Sequence, residues 1–313
     1  MTSKDFAGKR FLVVGGAGFI GSHIVESLLG KGAGVVVLDD FSNGKMGNLP
    51  RNEDRLEVKQ GDSRSFDFMS LGKVDCVFNE AARPLLPSFE DPVTDAAVNA
   101  GAVARVLEYA RRSDIKVVHA SSGSVYGNPV AVPISERHPL NPISPYGASK
   151  LASEFYCKMY RAEYGLEVFM LRYFNVYGPR QTVSEEMGVV PIFVRRALRK
   201  EPLRVFGDGK QTRDFLNVAD VVHANLLAYE SEKGAGEPMN VGGMGEETTI
   251  LGLANLVMDL CGYRAPIQFA PPKPGDIRRL LADNTLAREL IGYVPSVSLV
   301  EGLKEYIKFA GVG

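Results

Sequence analysis

With 313 residues, 45% of them hydrophobic, the chain can bury one large core and a smaller lobe, and no stretch is biased enough to remain disordered. A net charge of −1 argues against polyanion binding and against a polybasic membrane surface, and no window has the pattern of a signal peptide or a membrane span, so neither a nucleic-acid nor a membrane partner is expected. Cys76, Cys157, Cys261 and the four histidines are scattered, with no C-x-x-C spacing, which points to reduced thiols in a cytoplasm and to no metal site.

The apolar, β-prone run Arg10-Phe-Leu-Val-Val14 leads into Gly15-Gly-Ala-Gly18-Phe-Ile-Gly21 and then into a helical pattern through Ile20, Ile24, Val25, Leu28 and Leu29. Strand, glycine turn and helix in that order read as a dinucleotide site. Gly15 permits the tight turn, Gly18 lets backbone approach a pyrophosphate at the helix N-terminus, and Gly21 lets helix and strand pack closely. Asp39 and Asp40 end the second strand about twenty residues further on, where a carboxylate accepts hydrogen bonds from adenosine ribose hydroxyls. The two negative charges would repel a 2′-phosphate, which favours NAD over NADP, with Lys45 as the one nearby cation arguing otherwise. The alternative is that the two acids only start a turn.

Alternation continues through the strands Leu56-Glu-Val58 and Val74-Asp-Cys-Val-Phe78, a helix from Ala97 to Arg112 and the strand Lys116-Val-Val-His-Ala120. A helix near Tyr146 and a strand Glu167-Val-Phe-Met-Leu-Arg172 follow. This rhythm predicts a Rossmann-type α/β fold, a doubly wound parallel sheet. In Tyr146-Gly-Ala-Ser-Lys150 a phenol and an ammonium four residues apart share one helix face, so the cation can favour the phenolate and make Tyr146 a usable base. Past Gly178-Pro179 the pattern turns irregular, which sets the expected division at 1–178 for the nucleotide-binding domain and 179–313 for a smaller mixed α/β lobe, with some elements returning to the first. Arg195-Arg-Ala-Leu-Arg-Lys200 reads as a solvated helix face. Leu151, Phe155 and Met159 form a stripe suited either to a homodimer contact or to internal core.

Further motifs join these: Gly61-Asp62, Ala81-Ala82, Asn99, Ser121-Ser-Gly-Ser-Val-Tyr-Gly127, Arg172-Tyr-Phe-Asn-Val-Tyr-Gly-Pro179, Phe206-Gly-Asp-Gly-Lys-Gln-Thr-Arg-Asp-Phe215 and Asn240-Val-Gly-Gly243. Together with the glycine turn and the Tyr146 helix they resemble, over almost the whole chain, the extended short-chain dehydrogenase/reductase family, and within it nucleotide-sugar epimerases of the UDP-glucose 4-epimerase type.

The resemblance implies NAD as cofactor and Ser122, Tyr146 and Lys150 as catalytic residues. It implies a cofactor cradle of Gly15, Gly18, Phe19, Ile20, Gly21, Asp39, Asp40, Asn43 and Gly44. Asp62, Ser63, Ala81, Ala82, Asn99 and Tyr173 complete that cradle beside Tyr146 and Lys150. On the nucleotide-sugar side it implies Arg83, Ser122, Ser124, Tyr146, Asn175, Val190, Val205, Phe206, Arg213, Lys273 and Asp276. The implied reaction is reversible: Tyr146 takes the C4 hydroxyl proton, NAD takes the hydride, the 4-keto sugar turns over, and the hydride returns to the other face.

Four departures qualify these expectations. Ser124 stands where sister dehydratases and decarboxylases carry an acid before Val-Tyr-Gly, so no elimination step is expected. Asn79-Glu-Ala-Ala82 replaces the usual His-x-Ala-Ala, with Glu80 expected to support the site from a distance or to face solvent. Arg83, in a loop one residue shorter than usual, would meet a sugar carboxylate such as that of glucuronate, or else a phosphate or solvent. Lys273-Pro-Gly-Asp276 keeps the charge of the family's Arg-x-Gly-Asp but loses the bidentate fork, for which Arg278 or Arg279 could compensate. The base and the sugar stay open between UDP-glucose/UDP-galactose and a close relative; the alternatives are a UDP-glucuronate 4-epimerase or another nucleotide-sugar oxidoreductase or dehydratase, and, from another class, a non-catalytic NAD-binding regulator.

Overall fold

The structure is a computed structural model that describes residues 5–181, 188–272 and 277–311; Lys273 and Asp276 lie outside the described residues. Seven strands form the central sheet: β1 (Arg10–Val14), β2 (Gly34–Asp39), β3 (Leu56–Gln60), β4 (Cys76–Asn79), β5 (Lys116–Ser122), β6 (Val168–Tyr173) and β7 (Pro238–Val241). Their spatial order is β7-β6-β5-β4-β1-β2-β3 and every pairing is parallel. Both faces are covered, which is why β1 and β2 read as continuous apolar runs rather than alternating ones, and why β5 is buried along its whole length. The helix Phe19–Gly30 packs one face with Ile24, Val25 and Leu28, beside Val221, Val222 and Ala224 of the helix Val218–Glu230. The other face is covered by Val103, Val106 and Leu107 of the helix Ala102–Ser113 and by Cys157 and Tyr160 of the helix Pro145–Tyr164. Strand order reverses between β4 and β1, and the crevice beyond the carboxyl ends of those strands is where open α/β sheets bind ligands.

A second core joins Val190, Phe193 and Val194 of the helix Val189–Leu198 to Leu253 and Val257 of the helix Ile250–Leu260 and to Leu303 of the helix Leu299–Gly311. Short strands cover it: Thr212–Arg213 pairs with Thr248–Thr249 and with Arg279–Leu280, while Arg204–Phe206 pairs with Gln268–Ala270. The chain does not leave the first unit for good at residue 178. The helix Val218–Glu230, β7 and the helix Thr285–Ile291 all return to the main sheet, where Ala287 and Ile291 share a core with Phe11 and Val13.

The stripe on the Pro145–Tyr164 helix divides. Leu151 packs against the cluster of Val125, Tyr126 and Phe174, whereas Phe155, Tyr156 and Met159 are exposed. None of the three cysteines forms a disulfide, and Cys76 and Cys157 are buried. Among the described residues no helix is long and apolar enough to cross a membrane.

Candidate active site

Gly15 has φ +76°, and a Cβ there would lie 2.7 Å from the Ala81 nitrogen, so the first turn needs glycine both for its conformation and to let β4 approach. The helix Phe19–Gly30 has no side-chain cap at Gly18, which leaves its first-turn N–H groups for an anionic ligand. Asp39 is pinned in the cleft: Oδ2 accepts from the Ala17 N–H at 2.9 Å and Oδ1 from the Phe41 N–H at 2.8 Å. Burial raises its carboxyl above the usual range, against the pull of those two donors. A Cβ on Gly44 would stand 2.7 Å from Asp39 Oδ1, so the loop after β2 closes over the acid only with glycine there. Asp62 is gripped by Arg64 at 2.6 Å, which holds its carboxyl below the usual range.

These residues line a cleft of about 350 Å³ with Asp40, Asn43, Ser63, Ala81, Ala82 and Arg83. Phe19, Ile20 and Gly21 line an adjoining cavity of about 460 Å³ that also contains Tyr146. An uncapped helix N-terminus, a ribose-reaching acid and the Arg83 Nε, buried without a protein partner, fit a dinucleotide.

Tyr146 sits in the first turn of its helix, fixed by the Ser144 side chain, which accepts from the Gly147 N–H at 3.0 Å, and by Pro145 at the start. A Cβ on Gly147 would come within 2.6 Å of the Ser124 carbonyl oxygen. That glycine lets the helix abut the turn Gly123–Tyr126, and so brings Ser122 to where its hydroxyl favours the ionised form of Tyr146. Ser122 also accepts from the Ser124 N–H and meets the Ser124 hydroxyl, both at 3.1 Å.

Lys150 departs from expectation. Its Nζ donates to the Ala120 carbonyl at 2.9 Å and lies 5.9 Å from the centre of the Tyr146 ring, over its face. Burial pushes the ammonium down to about 8, opposed by the charges of Glu80 and Asp95. Tyr146 goes up to about 12: burial is the main cause, the Ser122 hydrogen bond opposes it, and Asp95 and Glu80 add to it. In the protein without ligands the phenol is therefore kept neutral, because burial and two carboxylates outweigh the Ser122 hydroxyl.

Behind Lys150 runs a buried chain of polar groups. Ser153 Oγ donates to the Lys150 carbonyl at 2.7 Å and meets His119 Nε2 at 2.8 Å. His119 Nδ1 lies 3.2 Å from Asn79 Nδ2. Asn79, standing where the family has histidine, thus faces a histidine on its register partner in β5.

Asn175, Val190, Phe206 and Arg213 meet at a third cavity of about 330 Å³ between the two cores. Asn175 has φ +39° and donates to the Asp214 carbonyl at 3.2 Å. Arg213 donates to the carbonyls of Thr212 and Ile277 at 2.8 and 2.7 Å, which orients the guanidinium. Val205, expected beside them from the sequence, is fully buried in the second core and does not line the cavity, because the strand Arg204–Phe206 turns alternate residues inward.

Two other expectations change place. Asn99 is fully buried on a π-turn, Ala97–Gly101; it accepts from the Arg83 N–H at 2.8 Å and donates to the Arg83 carbonyl at 3.1 Å and to Asp95 at 2.7 Å. It therefore clamps the cleft loop from behind rather than lining the cleft. Arg83 turns toward the cofactor cleft, held by the Pro87 carbonyl at 3.4 Å and Asp91 at 3.9 Å, and does not line the cavity around Tyr146.

Sequence patterns left several lining residues unassigned. Tyr177, Gln181, Arg195, Arg196, Arg204 and Gln211 border the third cavity, although Arg195 and Arg196 read as a solvated helix face. Glu80 is the larger surprise, since it lines both the cofactor cleft and the Tyr146 cavity and accepts from the Tyr173 hydroxyl at 3.0 Å. Tyr173, expected at the cofactor, spends its hydroxyl on that contact.

Over residues 11–242 the chain matches the model of the NAD dependent epimerase/dehydratase family. The UDP-glucose 4-epimerase of Mycolicibacterium smegmatis is 44% identical over 308 residues, a stretch covering 96% of this chain and 98% of that one. The crystal structure of UDP-glucose 4-epimerase from Thermotoga maritima with UDP-glucose matches with a TM-score of 0.90 at 41% identity, over 96% of this chain and 98% of the other. A UDP-N-acetylglucosamine 4-epimerase from Methanobrevibacter ruminantium, in complex with UDP-N-acetylmuramic acid, matches with a TM-score of 0.93 at 34% identity, over 97% and 98%.

Proposed function

The chain belongs to the NAD-dependent epimerase/dehydratase family, and on that premise we propose that it inverts C4 of a UDP-hexose, UDP-glucose/UDP-galactose being the pair that fits best. The observation that carries the reading is that Tyr146, its ionised form favoured by the Ser122 hydroxyl, lines a cavity shared with the glycine turn, with a serine at position 124. Two hydroxyls side by side can hold one sugar hydroxyl, and Tyr146 can take its proton and return it. When bound, NAD supplies a reversible two-electron oxidant for the sugar carbon. Gly15, Gly18, Asp39 and Asn43 would hold it, with Arg83 reaching the same cleft. No acid stands at position 124 to drive loss of a C6 hydroxyl or a carboxylate, so the chemistry closes on itself.

Among the described residues no Arg or Lys lines the Tyr146 cavity, and Glu80 does. A 6-carboxylate sugar would meet a negative charge there, which favours a neutral hexose over a glucuronate. The diphosphate falls to Arg213 and Asn175, where two carbonyls orient a guanidinium whose charge and planar shape suit a phosphate. The exposed Phe155, Tyr156 and Met159 suit a homodimer built on the Pro145–Tyr164 helix, and cysteines that form no disulfide suit a reducing cytoplasm.

Nuclear magnetic resonance of the product made from UDP-glucose without added cofactor tests the reading. UDP-galactose with an intact CH₂OH is expected. A 6-deoxy-4-keto sugar, or net formation of NADH, would refute it.

A further inference from the structure

Glu80 is an acidic side chain at the catalytic cavity that the proton transfer just described does not use. It follows the last residue of β4, directly before Ala81, the residue against which the Gly15 turn packs. Its side chain borders the cavity that holds Gly15, Gly18, Phe19, Ile20 and Tyr146. The Tyr173 hydroxyl, on the end of β6, donates to Oε1 at 3.0 Å. Asn225 Nδ2, from the helix Val218–Glu230, in turn donates to the Tyr173 oxygen at 2.7 Å, and also to the Val221 carbonyl at 2.9 Å.

The direction of this chain is fixed. An amide NH₂ can only donate, so Tyr173 accepts from Asn225 and must commit its one proton to Glu80. Three elements thus aim a carboxylate oxygen at one place, while Oε2 has no hydrogen-bond partner among the described residues. A surface carboxylate would not be given such a support.

We infer that Glu80 is a positioning residue for charge: its carboxylate, aimed by Tyr173 and Asn225, places a negative charge in the nicotinamide cavity that makes the site prefer NAD, with its cationic ring, over NADH. The inference rests on the NAD-dependent reading of the cleft. Its chemistry is Coulombic. A carboxylate attracts the oxidised ring and has no comparable attraction for the neutral reduced one, so the preference follows the charge on Glu80. The resting protein is thereby held with an oxidised cofactor and, since the same charge opposes the phenolate, with a neutral Tyr146.

Glu80 is also placed to lose that charge near neutrality, since burial pushes its carboxyl up to about 7 against the Tyr173 hydrogen bond and the Lys150 charge. The titratable groups around it are Tyr173 on β6 and Tyr146 and Lys150 on the Pro145–Tyr164 helix. Asp95 acts on both Tyr146 and Lys150, and His119 is held neutral by burial, with the Lys150 charge adding to the effect. Of these, Glu80 changes ionisation as pH crosses about 7, and Lys150, pushed down to about 8, follows above it.

The test is the ratio of NADH to NAD dissociation constants, measured by calorimetry on cofactor-stripped protein without any sugar. For the wild type the ratio should rise with pH between about 5.5 and 7.5, in favour of NAD, by about ten-fold. Glu80→Gln, which keeps an oxygen for Tyr173 to donate to, should hold the ratio at its low, acid value at every pH. Tyr173→Phe keeps the charge but removes the supporting donor, and should move the wild-type midpoint upward. A wild-type ratio that is flat with pH would overturn the inference even if no variant folds. So would a Glu80→Gln protein that binds both nucleotides with the wild-type ratio, or that loses affinity for both equally. Failure of the wild type to bind either nucleotide would instead refute the NAD reading of the cleft.

Discussion

The two halves of the cleft are built by different means. On the cofactor side backbone does most of the shaping: Gly15 and Gly44 are glycine because β4 and Asp39 come too close for a Cβ, and Asp39 is pinned by two N–H groups. At the cavity between the two cores the shaping is by side chains from short strands, a turn and a helix, with Arg213 oriented by carbonyls and Asn175 held in a positive-φ conformation. A backbone cradle recognises what every dinucleotide shares. A side-chain pocket can be re-specified one residue at a time, and this is where relatives of one fold diverge in substrate.

Tyr146→Phe cuts at the meeting point of the halves and should have the largest effect, a loss of about 10²–10⁴-fold in kcat. NAD affinity, measured separately by calorimetry, should change little, since the ring and its packing remain. Ordinary turnover by this variant would remove Tyr146 from the mechanism. Arg213→Ala tests the side-chain half alone: KM for the nucleotide sugar should rise about ten- to hundred-fold, as for loss of a charge-assisted hydrogen bond, with NAD affinity unmoved. A fall in NAD affinity instead would mean that the halves are not separable.

Asp39→Asn probes the backbone half and should have a smaller effect, because the amide oxygen can still accept from one of the two N–H groups. Preference for NAD over NADP should relax by about ten-fold as the repelling charge goes, while KM for the sugar stays. Unchanged discrimination would turn attention to Lys45.

The smallest effect concerns stability. Asp214 is buried with Oδ2 unpartnered, and burial raises its carboxyl to about 7 despite N–H groups of Gly243 and Gly245. A carboxyl whose folded pKa is raised adds stability below the ordinary carboxylate range, and that contribution is lost as pH rises through about 7. The wild type should therefore show a falling Tm between about pH 4 and 7, and Asp214→Asn a shallower fall. Parallel curves for the two proteins would show that Asp214 does not titrate in that window.

The sheet and the cofactor turn were legible because each depends on local signals: apolar runs of strand length, glycines at fixed spacing, an acid at the next strand's end. What sequence could not show was direction. Arg83 and Glu80 are three residues apart, yet the arginine turns to the cofactor cleft and the glutamate reaches the Tyr146 cavity as well, because Asn99 clamps one from behind and Tyr173 draws the other. Both partners come from distant segments. Lys150 likewise shares a helix face with Tyr146, as spacing requires, but the Ala120 carbonyl decides where its ammonium points. The period of Val205 and Phe206 in a strand could have shown that only one of them faces the cavity.

The strand Pro238–Val241 lies on the outer edge of the sheet against β6, although more than sixty residues of chain separate the two. Until that stretch leaves the ribosome, β6 presents an open row of backbone donors and acceptors, the kind of edge on which chains pair with one another. β6 is therefore covered only late, after the first part of the second lobe, including the helix Val189–Leu198, has been made. A chain stopped at residue 178 would carry the glycine turn, Asp39 and Tyr146 and yet remain an aggregation hazard rather than a free-standing cofactor-binding unit.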